Sequence, residues 1–282
     1  MNNLVGKYEF KYVPSNIDNL NQYLKLYQEC FKKYNKNLDY LDWLYSKSPD
    51  GLFLGIDVYY KEYLIGQVCG IRSLFNYLGS LKKVIYPLNV CVKKEFRKKN
   101  IFYNAIQKFE ILCNENDIDF IIGTGNAQAT PGWIKQNYKY LKSLDVFIFS
   151  ESFNLEKIKF NNDIFYSVWS EDRINWRISN PINKISLYNK ETRLISVAST
   201  HIPFLNIVST FGNSKQTQLP NLSKNKLNIF IGMIPDTNKK FISLPNFLKK
   251  SPLNLIYKNL KNEKYILEKD SCFFSFLDFD HF

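Results

Sequence analysis

Apolar residues recur at helical spacing in two early stretches of the chain. Leu20, Leu24, Tyr27, Phe31 and Tyr34 follow Ser15 and Asp18, a cap residue and a first-turn acid, and predict a helix lying against a sheet. A shorter helix is predicted from Leu38 to Tyr45, stopped by the turn string Ser48-Pro49-Asp50-Gly51. The period then changes. Leu52–Tyr60 and Tyr63–Ser73 read as strands joined by a hairpin at Lys61-Glu62, and Val84–Val92 reads as a third strand. Helical spacing returns through Ile101, Ala105, Phe109 and Leu112, and the apolar run Asp119–Thr124 ends among Gly123 and Gly125, giving a strand–helix–strand crossover. Thr130-Pro131 starts another helix, which the spacing of Trp133, Ile134, Tyr138 and Leu141 extends, before strand character resumes at Val146–Phe149.

After Ser150 the pattern loosens. Ile185–Tyr188, Thr192–Ser199, Phe204–Thr210, Leu227–Met233 and Cys272–Phe279 are predicted strands, Asp172–Ile178 and Leu253–Leu260 are read as helical, and residues 211–225 as a polar loop. The fold class is therefore α+β with a mixed sheet. A chain of 282 residues with 45% hydrophobic and 16% aromatic content fits one large domain or two of about 140 residues, and we place the division at 1–150 and 151–282.

Charge adds a second constraint. Lys and Arg outnumber Asp and Glu by 38 to 26, a net +12 that suits phosphates, nucleic acid, acidic lipid or an anionic cofactor, although AT-biased coding inflates Lys by itself. The aromatic residues sit at core spacing without an RNA-binding or zinc-finger signature, so nucleic acid is not the expected partner. Five scattered cysteines with no CxxC pair, and only two histidines, argue against a disulfide framework and against a metal site. With no signal-like start and no apolar run near 18 residues, the expectation is a cytoplasmic protein without a membrane span.

Candidate chemistry concentrates between Val90 and Tyr140. The third strand ends in a basic loop, Lys93-Lys94-Glu95-Phe96-Arg97-Lys98-Lys99-Asn100, and a helix begins at once. A helix N-terminus offers unpaired N–H groups to a pyrophosphate, and Arg97, Lys98 and Lys99 add charge; the plainer reading is a solvated basic turn. The order strand, Arg97-Lys98-Lys99-Asn100-Ile101-Phe102, helix, then Asn126, Ala129 and Trp133, resembles the GNAT superfamily of acyl-CoA-dependent N-acyltransferases, of the type in bacterial surface-polysaccharide clusters. Asn100 and Asn137 stand where that family carries glycine, Phe102 replaces a small residue, and Trp133 occupies the place of a tyrosine general acid in many relatives.

The resemblance implies acetyl-CoA as co-substrate and direct attack by an amine. Val90 and Val92 would hold the pantetheine arm by their backbone, an N–H near Cys91 would polarise the thioester, and Arg97, Lys98, Lys99, Asn100, Ile101, Phe102 and Asn126 would line the cofactor site. Asn89 and His201 are the candidates for handling the amine; the blander alternatives are a strand-edge hydrogen bond and a surface histidine. Cys91 is expected to be packing and not a nucleophile. The C-terminal half, with Asn175-Trp176-Arg177, Asn180-Pro181 and Tyr188, resembles a second, degenerate GNAT-like unit without a phosphate loop. The implied acceptor is a small-molecule amine, a nucleotide-linked amino sugar, with an aminoacyl or peptide amine and a non-catalytic basic module as the alternatives. A homodimer is left open.

Overall fold

A long antiparallel hairpin forms the spine of the protein. The computed structural model describes residues 9–148, 163–188, 194–198, 204–210, 227–235, 253–261 and 266–279. Strand β1 (Phe10–Pro14) is followed by helices α1 (Leu20–Cys30) and α2 (Leu38–Ser46), then β2 (Leu54–Tyr60), β3 (Tyr63–Tyr77) and β4 (Ser80–Val92). Asn16 Oδ1 accepts from the Asp18 N–H to cap the short turn before α1, the place the sequence gives to Ser15; the Ser15 hydroxyl instead donates to Asp57 Oδ1 at 2.6 Å. Lys61 takes positive φ at the β2–β3 turn, as a tight hairpin demands.

Helix α3 (Ile101–Glu115) crosses to β5 (Phe120–Gly125), which runs parallel to β4; α4 (Thr130–Ile134), β6 (Lys139–Ser143) and β7 (Asp145–Ile148) follow. The helix at Pro131 is shorter than its spacing suggests. Asn137 adopts φ 63°, a left-handed turn that ends the helical run, and Tyr138 and Leu141, predicted to be helical, fall before and within β6. Beyond the division come β8 (Phe165–Ser167), α5 (Glu171–Ile178), β9 (Ile185–Tyr188), β10 (Leu194–Ala198), β11 (Leu205–Thr210), β12 (Leu227–Met233), β13 (Asn254–Asn259) and β14 (Cys272–Ser275). The Ser170 hydroxyl caps α5 by accepting from Arg173 N.

The segment Leu253–Leu260, read as helical, is strand β13, and its position is the main surprise. It lies between β5 and β6, antiparallel to both, pairing Asn254–Asn259 with Gly125–Phe120. Leu255, Ile256 and Tyr257 are all buried, so both faces are covered; without a solvent-facing side, the two-residue alternation that marks a strand is absent. The strands after residue 150 thus complete the first sheet. Order along it runs β6-β13-β5-β4-β3-β8-β14-β12-β11-β10-β9, with β1 and β2 branching from β3 and β7 pairing β12.

One face of the first sheet carries α1 and α2 over a core including Tyr23, Tyr27, Leu41, Phe75 and Phe120; the other carries α3 and α4 over Val58, Val68, Ile85, Phe109 and Ile256. Trp43 of α2 and Trp176 of α5 stack at 4.8 Å, and each indole N–H donates to the other residue's carbonyl oxygen, at 2.9 and 3.0 Å. Arg173, fully buried, pairs with Asp50 at 3.1 Å and lies over the Trp169 ring. Trp169 and Trp176 are therefore core aromatics, and Trp176 and Arg173 join the two parts of the chain. Among the described residues no helix is long and apolar enough to cross a membrane.

Candidate functional site

Strands β4 and β5 begin as neighbours and then part. They pair at Val84–Phe120 and Ile85–Ile121, and the Asp119 carboxylate and N–H clamp the Lys83 backbone at the base. Pro87, which has no N–H to give a ladder, stands just past the last pair. On the other side of β4 the register with β3 slips between Gln67–Cys91 and Cys69–Leu88, so Asn89 and Val90 together face Val68. Asn89 takes φ 51° in this bulge. Splay and bulge open a cavity of about 280 Å³ lined by Leu88, Asn89, Val90, Thr124, Asn126 and Trp133, with Phe31 and Tyr34 from the turn after α1 and Ile256 from β13.

A second hollow, of about 270 Å³, lies where β4 runs into α3. Val92, Arg97, Lys98, Asn100, Ile101 and Phe102 line it, facing Gly132 and Lys135. Lys98 and Asn100 take φ 64° and 56°, folding the loop so that α3 starts directly beneath it. The asparagine substitutions at 100 and 137 are thus in the left-handed conformation that glycine would otherwise supply. Arg97 Nε donates to the Val92 carbonyl oxygen at 3.0 Å, which ties the guanidinium to the strand end. Phe102 packs edge-on against Trp133 at 5.6 Å, over Gly132, where an added Cβ would come within 2.8 Å of its ring. The bulky residue is housed because position 132 has no side chain.

Loop, helix terminus, cation pair and splayed slot are placed as an extended diphosphate-headed thioester requires, so the residues present fit coenzyme A. The sequence candidates Asn89, Val90, Asn126 line the slot and Val92, Arg97, Lys98, Asn100, Ile101, Phe102 line the hollow. Lys99 is elsewhere, its ammonium over the Phe96 ring at 5.5 Å. Asn126 Oδ1 accepts from the N–H groups of Gln128 and Ala129, so its carboxamide shapes the turn into α4. Cys91 is buried, and desolvation, with the Cys30 thiol nearby, pushes its thiol well above the ordinary value, which keeps it protonated. His201 lies outside the described residues, as does the side chain of Tyr188.

Phe31, Tyr34, Thr124 and Ile256 are lining residues that the sequence reading did not single out. Phe31 and Tyr34 fall within the helical spacing of the sequence, but α1 ends at Cys30 with Phe31 extended, so both lie in the turn that follows the helix; Ile256 sits in the strand read as a helix. Behind the slot runs a buried polar chain. Asn89 Nδ2 donates to Tyr45 Oη at 2.8 Å, Tyr45 and Tyr27 hydroxyls meet at 2.8 Å, and Tyr27 donates to Gln67 Oε1. Burial pushes both tyrosines well above their usual range and Cys69, beside them, to about 12, so all stay neutral.

No protein-family profile matches the chain. It resembles known structures closely enough in three dimensions to assign the fold. A GCN5-related N-acetyltransferase from Kribbella flavida superimposes with a TM-score of 0.62 at 10% identity, covering 89% of this chain and 72% of that one. The fold is that of the GNAT acyltransferases. A Pyrococcus horikoshii chain described as a candidate acetyltransferase matches over 98% of this chain and 96% of its own length with a TM-score of 0.54 at 10% identity, so the likeness in fold extends past residue 150. In sequence, a protein of Amsacta moorei entomopoxvirus, described as a candidate glycylpeptide N-tetradecanoyltransferase, is 27% identical over 188 residues, which span 62% of this chain and 60% of that relative.

Proposed function

We propose that the protein transfers an acyl group from acyl-coenzyme A to a primary amine. The observation that carries this reading is the parting of β4 and β5 past Ile85–Ile121, which opens a slot at the Asn89–Val90 bulge, with a second hollow a few residues along the chain at the N-terminus of α3. Acetyl-CoA or a longer homologue would supply the activated acyl group. Main-chain groups at Val90 and Val92 would bind its arm, the α3 N-terminus with Arg97 and Lys98 its diphosphate, and an N–H near Cys91 would face the thioester oxygen. Asn89, at the rim of the slot, would take the amine; a Cys91 acyl-enzyme has no support from a thiol held protonated.

For the acceptor we propose an amino sugar carried on a nucleotide, consistent with the likeness of Arg97–Phe102 to polysaccharide-cluster enzymes and with a net charge of +12 that favours a diphosphate-bearing acceptor. A cytoplasmic site of action goes with that substrate. The name of the entomopoxvirus relative favours a second reading, a peptide N-terminal glycine receiving a fatty acyl chain. Coenzyme A release from acetyl-CoA and from tetradecanoyl-CoA, with nucleotide-linked 3-, 4- and 6-amino sugars and a glycine-headed octapeptide as acceptors, separates the two. Turnover on an amino sugar supports the first reading. Turnover on the peptide alone replaces it with the second, and no turnover on any amine together with no coenzyme A binding rejects acyl transfer.

A further inference from the structure

The polar chain behind the slot has a direction. Asp57, buried in β2, accepts from Ser15 Oγ at 2.6 Å, from Gln67 Nε2 at 2.8 Å and from Tyr23 Oη at 2.8 Å. Desolvation raises its pKa, and the same three donors oppose that rise. A carboxylate can only accept, so Gln67 must turn its NH2 toward Asp57 and its carbonyl oxygen toward Tyr27. The Tyr27 proton is then spent on Gln67, which leaves Tyr27 an acceptor for the Tyr45 hydroxyl at 2.8 Å. Tyr45, its own proton committed, accepts from Asn89 Nδ2 at 2.8 Å. Cys69 Sγ lies beside both hydroxyls at 3.3 and 3.6 Å and donates to the Leu88 carbonyl oxygen at 3.3 Å, so it supplies no competing proton. Each link settles the next, and the orientation of a carboxamide that ordinarily could sit either way follows from the anchor.

We propose that Asp57, Gln67, Tyr27 and Tyr45 are positioning residues that lock the Asn89 carboxamide with its NH2 inward, so that Oδ1 is presented to the slot as an acceptor for an N–H of the incoming amine. This rests on the acyltransferase reading for what the slot binds. It assigns the chain a preference for nucleophiles that arrive carrying a proton to donate, and it explains why so much buried polar structure stands behind one strand bulge. In an apolar core a network of this kind is favourable only if every member is satisfied, and one polarity satisfies all five.

Two measurements test it. In protein labelled with 15N-asparagine, the Asn89 side-chain amide pair, assigned by its loss in Asn89→Ser, is followed by NMR. Tyr27→Phe does not touch Asn89 but takes away the acceptor of the Tyr45 proton. The proposal expects it to shift the Asn89 amide pair and speed its hydrogen exchange, and expects Asp57→Asn, which gives the anchor a donor of its own, to move the same signals. An amide pair unmoved by both variants overturns the proposal without reference to activity. In the second measurement, with the glycine-headed octapeptide and a nucleotide-linked 4-amino sugar as acceptors, Tyr27→Phe should raise acceptor KM about tenfold, the size of one lost hydrogen bond, with coenzyme A affinity unchanged. The double variant with Asn89→Ala should be no worse than Asn89→Ala alone, because Tyr27 acts through Asn89; independent, multiplying losses would contradict it. Failure of the intact protein to bind coenzyme A in a calorimeter would reject the acyltransferase reading instead, and would leave the amide result standing.

Discussion

The two lengths of chain on either side of residue 150 contribute unlike things to one sheet. The first supplies strands that part, a bulge with a left-handed asparagine, and a loop of positive-φ residues over a helix terminus. Each of these is a departure from regular structure, and together they make the slot. The second supplies the regular parts that hold it: β13 fills the space between β5 and β6, Lys258 within it donates to Glu110 of α3 at 2.8 Å and to the Gln136 carbonyl oxygen at 3.1 Å, and α5 is keyed into α2 through Trp43 and Trp176. Openings in a sheet leave ladder groups and apolar surface without partners, and the remaining elements must make up that loss.

The strongest test of this division is truncation. A chain ending at residue 150 would leave β5 and β6 apart with β13 missing between them, and is expected to lack any cooperative thermal transition and any coenzyme A binding. A sharp melt of that fragment would show that the first part stands alone. A single change probes the same point more gently: Leu255→Ala, at a fully buried site of β13, should cost about 2–5 kcal/mol in denaturant unfolding, with intact binding in the fraction that remains folded. Next in size is Arg97→Ala. Losing one charge-assisted phosphate contact should weaken coenzyme A about tenfold by calorimetry while the melting temperature stays put, the reverse of the Leu255 pattern.

Alkaline pH offers a smaller and graded test. Tyr27, Tyr45, Tyr86 and Tyr138 are held well above 10.0 by burial, and Cys69 is raised from 9.0 to about 12. Groups whose folded pKa is raised stabilise fully below the unfolded value and lose that contribution as pH climbs through the folded one, so the unfolding midpoint should fall as pH rises from about 8 to 11. Arg173 and Arg177, both lowered by burial and Arg177 to about 9, pull the other way but are outnumbered by the raised tyrosines and thiols. A midpoint flat across that range would contradict the buried network. The least effect is expected from Cys91→Ala, which should retain most of the turnover; an acylated Cys91 peptide in mass spectra after incubation with acetyl-CoA alone would overturn direct transfer.

The legible and illegible parts of the sequence follow the same line. The hairpin at Lys61-Glu62, the crossover through α3, and the tolerance of Asn100 and Asn137 for left-handed turns could be read because each depends on neighbours within a few residues. Pro87 in the middle of a strand was a sign of the splay that the β-rich run around it masked. Strand β13 was not legible: Leu253, Ile256, Tyr257 and Leu260 satisfy a helical period, and only burial on both sides, a property of distant partners, makes the segment a strand. The chain from Asp57 to Asn89 was hidden for the same reason, since its members come from β2, β3, α1, α2 and β4 and no local spacing connects them.

The central claim is that the opening between β4 and β5 is a coenzyme A site, and hydrogen exchange on the full chain, read with and without coenzyme A alongside a calorimetric titration, tests it most directly. The account predicts saturable one-to-one binding, with new protection confined to residues 88–102 and 123–133. No binding at millimolar coenzyme A, or protection that falls elsewhere in the chain, would contradict it.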